Sequence, residues 1–394
     1  MPTKDIMHGS RAVAEAVRLA EVNVIAAYPI TPQTHIVEDT AKMVADGDIT
    51  AEYVRVESEH SAMSVAIAAC ATGARVFTAT SSQGLALMFE MLFVASGMRL
   101  PVVMVNANRA LSAPINIWND QQDSIACRDS GWIQIYVETN QEALDATIMA
   151  YKIAENDKVK LPVMVCMDGF VLTHTVEPVE VPDIEDVRKF LGTYKPELYL
   201  DPNDAMAQGA FADPSTYMEF RFEQQKAMNN ALTVINDVER DFEKTFGRSY
   251  GGLVDEFNLE GADIVIVTLG SVSGTIKDVI EESVGSNVGL LRIRAFRPFP
   301  DEAIRNALKN AKVVGVIEKD VSIGLSKGAL VSEIRDAMYG NENSTPKIIS
   351  FIAGLGGRDI GIYSIENVIK TCENALESEV DDVCWVDLNV EQLP

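Results

Sequence analysis

Three side chains stand where their types could do chemistry: Thr31, Glu59 and Arg109. Thr31 lies in the segment Tyr28-Pro29-Ile30-Thr31-Pro32-Gln33-Thr34, directly after an apolar run at 22–27. Each proline locks its own φ and restricts its predecessor, so this loop is stiff enough to hold one hydroxyl in place. The same hydroxyl can also cap a helix expected over 33–44. Glu59 follows Ser58 and opens a stretch of small residues that includes Ala62, Ala66, Ala69 and Cys70. A carboxylate there either complements the helix dipole or does acid–base work. Arg109 follows an apolar run at 101–105. It is either a solvated arginine or a planar fork that grips a carboxylate. Ser81-Ser82-Gln83-Gly84 follows another such run at 75–79. It reads as a helix cap with a glycine-permitted turn.

The elements around these residues alternate. Strands are expected at 22–27, 53–56, 75–79, 101–105, 132–137 and 161–167. Helices are expected at 11–20, 33–44, 60–71, 84–97 and 141–155. This rhythm predicts an α/β fold, a doubly wound parallel sheet covered on both faces. Candidate residues then follow strand ends, where such sheets place their ligands. Asp120 and Asp123, with Arg128, read as a polar brace under the Arg109 loop.

Residues 183–216 lose the rhythm and carry Pro196, Pro202 and Pro214, so they read as a surface excursion. A long amphipathic helix at 219–246 links to a second α/β unit. Its strands are expected at 263–269, 288–293, 313–317 and 347–351, and its helices at 276–283, 301–309, 329–337 and 364–376. The expected division is a first domain at 1–235, a linker at 236–254 and a smaller second domain at 255–394.

Bulk properties narrow the function. The 394 residues are 47% hydrophobic and 23% charged, a globular balance. No apolar run is long enough for a membrane span, and no secretory signal is visible, so a cytoplasmic location is expected. The formal charge of −25 argues against nucleic acid, which needs basic residues on its phosphates. The five cysteines form no CxxC pair, so no iron–sulfur cluster or structural zinc is expected on this chain. His8, His35, His60 and His174 are scattered, and no metal site is expected. Asp46-Gly47-Asp48 reads as a surface turn, because it lies between a helix and a strand. Gly354-Leu355-Gly356-Gly357 lacks the context of a dinucleotide site.

The ordered set Tyr28–Thr34, Ser58-Glu59-His60, Ser82-Gln83-Gly84-Leu85 and Asn108-Arg109-Ala110-Leu111, followed by Asn119-Asp120-Gln121-Gln122-Asp123, resembles the α subunit of the 2-oxoacid:ferredoxin oxidoreductases. Within that family it is most similar to the pyruvate:ferredoxin branch. The resemblance covers nearly the whole chain. It implies a thiamine diphosphate pyrimidine-type first domain and a second domain like the transketolase C-terminal one. It implies oxidative decarboxylation of pyruvate with coenzyme A to acetyl-CoA, carbon dioxide and reduced ferredoxin, and the reverse. Other 2-oxoacids (branched-chain, aryl or oxalate) and a non-catalytic scaffold role are the alternatives. By the same resemblance Glu59 touches the aminopyrimidine, Ser82, Gln83 and Gly84 line its pocket, and Arg109 with Thr31 receives the substrate carboxylate. The family's metal–diphosphate motif is absent, so the Mg-bound end of the cofactor and the iron–sulfur clusters are expected on partner subunits of β, γ and δ type.

Overall fold

The computed structural model describes residues 2–282, 287–340 and 345–393. Among them lie two large sheets and one two-stranded ribbon. The first sheet runs, edge to edge, Ala295–Arg297, Ile133–Tyr136, Val163–Asp168, Val103–Asn108, Val76–Thr80, Val24–Ala27 and Glu52–Arg55. All its pairings are parallel except that of Ala295–Arg297, which joins antiparallel to Ile133–Tyr136. The expected parallel, doubly covered α/β sheet is what forms. Alternation along the strands explains why. Val103, Val105 and Ala107 enter one core with Ala12, Val13, Leu144 and Phe242. Met104 enters the other, with Met63, Leu85 and Leu92. A strand buried on both faces reads as a continuous apolar run.

The second sheet runs Val383–Trp385, Lys347–Ile352, Val313–Glu318, Ile264–Thr268, Val288–Ile293 and Val254–Phe257. Only the last strand is antiparallel. One face packs on helices Val272–Glu282 and Ile362–Glu377. Val265, Val267 and Leu291 on the other face share a core with Trp132, Tyr136 and Met164 of the first sheet.

Several expectations shift. The expected helix at 84–97 is two helices, Ser82–Leu87 and Phe89–Gly97, broken at Met88 (φ −90°, ψ 7°). Its residues are apolar on both sides of Met88 and the one charge, Glu90, falls beyond the break, so periodicity could not reveal it. The excursion at 183–216 begins with a helix, Ile184–Leu191, which buries Val187 and Phe190. The long helix spans Tyr217–Phe246, and its Val238 and Phe242 pack into the first core. The ribbon of Thr3–His8 with Val176–Val181 had no sequence signal, because its residues are mostly exposed and gain order from a distant partner. The expected helix end at Ser283 lies outside the described residues. No helix among the described residues is long and apolar enough to cross a membrane. All five cysteines are free thiols. Asp46-Gly47-Asp48 forms the helix-ending turn, with Gly47 left-handed at φ 85°.

Candidate active site

Strand order reverses between Val24–Ala27 and Val76–Thr80, since the chain goes outward to Glu52–Arg55 and then returns across them. A crevice opens at such a switch point, outside the carboxyl ends of the strands. The loops of Thr31, Glu59, Ser82 and Arg109 all leave this edge.

The stiff loop is stitched to the sheet by a residue the motif reading passed over. Gln33 is fully buried and donates from Nε2 to the Ala79 carbonyl at 3.0 Å, while its Oε1 accepts from Ile30 N at 3.2 Å. Thr31 itself is exposed and caps nothing. The helix begins at Thr34, with no side-chain cap. The capping reading of Thr31 is therefore wrong, because the prolines displace the helix start. The Thr31 carbonyl accepts from Arg109 Nη1 at 2.9 Å.

Arg109 is not a solvated arginine. Only 6% of it is exposed. Its Nε donates to the Asn116 carbonyl at 2.9 Å. Nη2 has no partner among the described residues, so part of the fork remains for a ligand. Burial lowers its pKa, and the Asp123 carboxylate works in the opposite direction.

Glu59 begins the helix Glu59–Ala71, and Ser58 caps it by accepting from Ser61 N at 3.2 Å. The Glu59 carboxyl is buried at 7% exposure, yet it takes no hydrogen bond from the described residues. It lies against Gly84. A Cβ on Gly84 would stand 2.7 Å from Glu59 Oε1 and 2.5 Å from Thr80 Oγ1. Here glycine is needed for close approach. Gly84→Ala is expected to destabilise the chain by about 1–3 kcal/mol through overpacking. Thermal denaturation checks it, and an unshifted midpoint would mean that Glu59 and Thr80 can both give way.

Asp123 joins the loops. It is fully enclosed and accepts from Ser82 N (2.9 Å), Asn106 Nδ2 (3.0 Å), Asn108 Nδ2 (2.8 Å), Arg109 N (3.1 Å) and Ser124 N (2.8 Å). Burial raises its pKa and these donors oppose the rise. Ser82 sits at φ 47°, a costly backbone for a non-glycine residue that persists only when its surroundings fix it. Asp123 does so from one side. The Ser82 hydroxyl does so from the other, 2.5 Å from the Ala110 carbonyl and 2.7 Å from half-buried Gln83 Oε1. The brace is thus real for Asp123. Arg128 is no part of it, because its Nη1 turns back to the Ile125 carbonyl. Asp120 accepts from Gln122 N and from Gly356 N, the latter at 3.1 Å. Burial, then repulsion from Asp123, pushes its carboxyl up to about 7.

Two further findings were outside the sequence reading. The glycine-rich turn at 354–357 packs on the Arg109 loop, with Asn116 Nδ2 donating to Gly356 O at 3.0 Å. Three of the four histidines, called scattered above, come together instead: the rings of His8, His35 and His174 lie 5.6 and 5.0 Å apart in series. No set of side chains placed to hold a metal ion occurs among the described residues.

Thiamine diphosphate fits the crevice on structural grounds. A buried carboxyl without a hydrogen-bond partner among the described residues faces a glycine cradle, and an arginine fork sits in the adjoining loop. Comparison with known proteins agrees. A model for the thiamine diphosphate-binding part of pyruvate flavodoxin/ferredoxin oxidoreductases matches residues 15–240, and one for core domain II of pyruvate:ferredoxin oxidoreductase matches residues 262–365. The chain is 59% identical over 387 residues to pyruvate synthase subunit PorA of Methanocaldococcus jannaschii, covering 97% of each. It is 52% identical over 388 residues to the PorA subunit of Methanothermobacter thermautotrophicus, covering 98% of each. In fold it is similar to the 2-oxoglutarate:ferredoxin oxidoreductase of Magnetococcus marinus (TM-score 0.75, 21% identity), covering 93% of this chain and 65% of that one. With matches of this extent, the chain belongs to the pyruvate:ferredoxin oxidoreductase family.

Proposed function

We propose that this chain is the α subunit of a pyruvate synthase. The complex couples oxidative decarboxylation of pyruvate with coenzyme A to the reduction of two ferredoxins, giving acetyl-CoA and carbon dioxide, and runs in reverse. The observation that carries the reading is the unpartnered Glu59 carboxyl against Gly84, in the same crevice as the Arg109 fork. When bound, thiamine diphosphate supplies the electron sink for cleaving the carbon–carbon bond beside the keto group. The work of this chain is to bind and orient. Glu59 exchanges a proton with the aminopyrimidine ring nitrogen. Ser82, Gln83 and Gly84 line the ring. Arg109 receives the pyruvate carboxylate through its free N–H groups, with the Thr31 loop closing that end. A charge-assisted fork at this point fixes both distance and plane. The diphosphate end, with its Mg ion, and the iron–sulfur clusters belong to partner subunits of β, γ and δ type: the sequence carries neither a metal–diphosphate motif nor a CxxC pair, and no metal-holding set of side chains occurs among the described residues. Ferredoxin is met through those partners, in the cytoplasm.

Arg109→Ala tests the reading. Losing a hydrogen bond to a charged group costs about 1.5–3 kcal/mol, so pyruvate kcat/KM should fall roughly 10- to 150-fold. Arg109→Lys keeps charge but not the planar fork and should also impair pyruvate use. Steady-state kinetics of the assembled complex over a panel of 2-oxoacids checks both. Unchanged pyruvate kinetics in Arg109→Ala would move the substrate site elsewhere.

A further inference from the structure

The Arg109 loop makes little structure of its own. Between Arg109 and the helix Gln122–Ala126 it has no regular element. Its internal hydrogen bonds include Arg109 Nε to Asn116 O, Ala110 N to Trp118 O and Trp118 N to Asn116 Oδ1. Its shape must come from outside, and much of that support comes from the second sheet.

Lys319 follows the second-sheet strand Val313–Glu318 and is 6% exposed. Its Nζ reaches Asn119 Oδ1 at 3.0 Å and Asp168 Oδ2 at 3.1 Å. Its carbonyl accepts from Gln121 N at 2.8 Å. Asp168 ends the first-sheet strand Val163–Asp168 and holds the same loop residues. Its Oδ1 accepts from Asn119 Nδ2 at 3.0 Å and from Gln121 Nε2 at 3.2 Å. Its Oδ2 accepts from Ser271 N at 2.9 Å and Ser271 Oγ at 2.5 Å. Burial would raise the Asp168 pKa, but the Lys319 ammonium and Ser271 hold it below the ordinary value, and the two side chains form a buried salt bridge. Farther along the loop, Gly357 meets Trp118 so closely that a Cβ would stand 2.3 Å from Trp118 Cβ. Asn116, whose carbonyl fixes Arg109 Nε, is itself tied to Gly356.

We infer that Lys319, with Asp168, is a positioning residue for the substrate. The pair grips Asn119 and Gln121 and so keeps the loop that aims the Arg109 fork, which makes the second sheet part of the substrate site. The inference rests on the assignment of Arg109 to the pyruvate carboxylate. A buried ion pair is weak evidence for stability in its own right and better attested as a device that fixes one arrangement. Every side-chain hydrogen bond made by the Lys319 ammonium goes to the loop or to the carboxylate that holds it.

The test uses the assembled complex with Lys319→Met, Asn119→Ala and Arg109→Ala. Asn119→Ala leaves the ion pair intact, so it serves if Lys319→Met fails to fold. Small misplacements of a binding group cost up to about 100-fold. Pyruvate KM should therefore rise about 10- to 100-fold in Lys319→Met and by a smaller factor in Asn119→Ala. KM for coenzyme A should stay unchanged, which a general structural defect would not permit. Hydrogen–deuterium exchange should quicken in peptides covering 110–121. Unchanged exchange there overturns the clamp. Faster exchange with an unchanged pyruvate KM, while Arg109→Ala raises it, overturns the positioning role and leaves the Arg109 assignment standing. An Arg109→Ala variant with unaltered pyruvate KM strikes that assignment, and with it the positioning of substrate by Lys319.

Discussion

Glu59→Gln is expected to slow proton removal from C2 of bound thiamine by about 100- to 10,000-fold, the usual span of one general acid–base group. The amide has nearly the size of the carboxyl, so it fits beside Gly84 and Thr80 as Glu59 does. It cannot take up and release a proton at the pyrimidine nitrogen. The fold should persist, because the Glu59 carboxyl holds no other described residue by a hydrogen bond and the helix keeps its Ser58 cap. C2 hydrogen–deuterium exchange, followed by NMR in the cofactor-loaded complex, reads the step directly. A wild-type exchange rate in the variant would remove Glu59 from the chemistry. An unchanged melting temperature would confirm that any loss is chemical.

The second large effect concerns stability. Glu142 lies in the helix Asn140–Ala154, and its side chain is 1% exposed. Its Oε2 accepts from Arg292 Nη1 at 2.6 Å, and its Oε1 from Arg294 Nε at 2.7 Å. Both arginines are also 1% exposed, so two buried cations share one carboxylate. Asp255 and Glu138 approach Arg292 at 3.3 and 3.5 Å, and Glu239 approaches Arg294 at 3.3 Å. Removing the central carboxylate of a buried ionic group leaves the two arginines with only their longer contacts to Glu138, Asp255 and Glu239, at a cost of about 3–5 kcal/mol. Glu142→Gln should lower stability by that amount in urea denaturation. A loss below about 1 kcal/mol, as for an exposed pair, would contradict it. The pH dependence has a definite sign. Burial would raise the Glu142 pKa, but Arg292 and Arg294 pull it below the ordinary 4.5. A depressed folded pKa means that the unfolded chain binds the proton first. The contribution is therefore complete above the ordinary value and lost as the pH falls through the folded one. Glu142→Gln should lack that acid-side loss.

Much of both large sheets was legible because each strand reports its own burial. Strand 288–293 appears with its expected bounds, and most others lie within two or three residues of theirs. The short edge strands Val254–Phe257, Ala295–Arg297 and Val383–Trp385 were not legible. Each is three or four residues long and exists only because a longer neighbour pairs with it. The apolar run at 84–97 hid its break for a related reason: composition records that a segment is buried, not where its backbone turns.

The sequence alone determined that Thr31, Glu59, Ser82 and Arg109 follow successive strands, and a parallel sheet then carries their loops to one edge. It could not determine what holds them there. The Asp123 carboxylate joins donors from the Ser82 turn and from the stretch that runs from Asn106 to Arg109. Gly84 is required only because Glu59 and Thr80 crowd it. The Lys319 ammonium crosses from the second sheet to Asn119 and Asp168, 200 and 151 residues away along the chain. Hydrophobic periodicity records whether a residue faces water or a core, a property of its own segment. A hydrogen bond or ion pair depends on two atoms within about 3 Å of each other, and for distant segments only tertiary packing decides that distance.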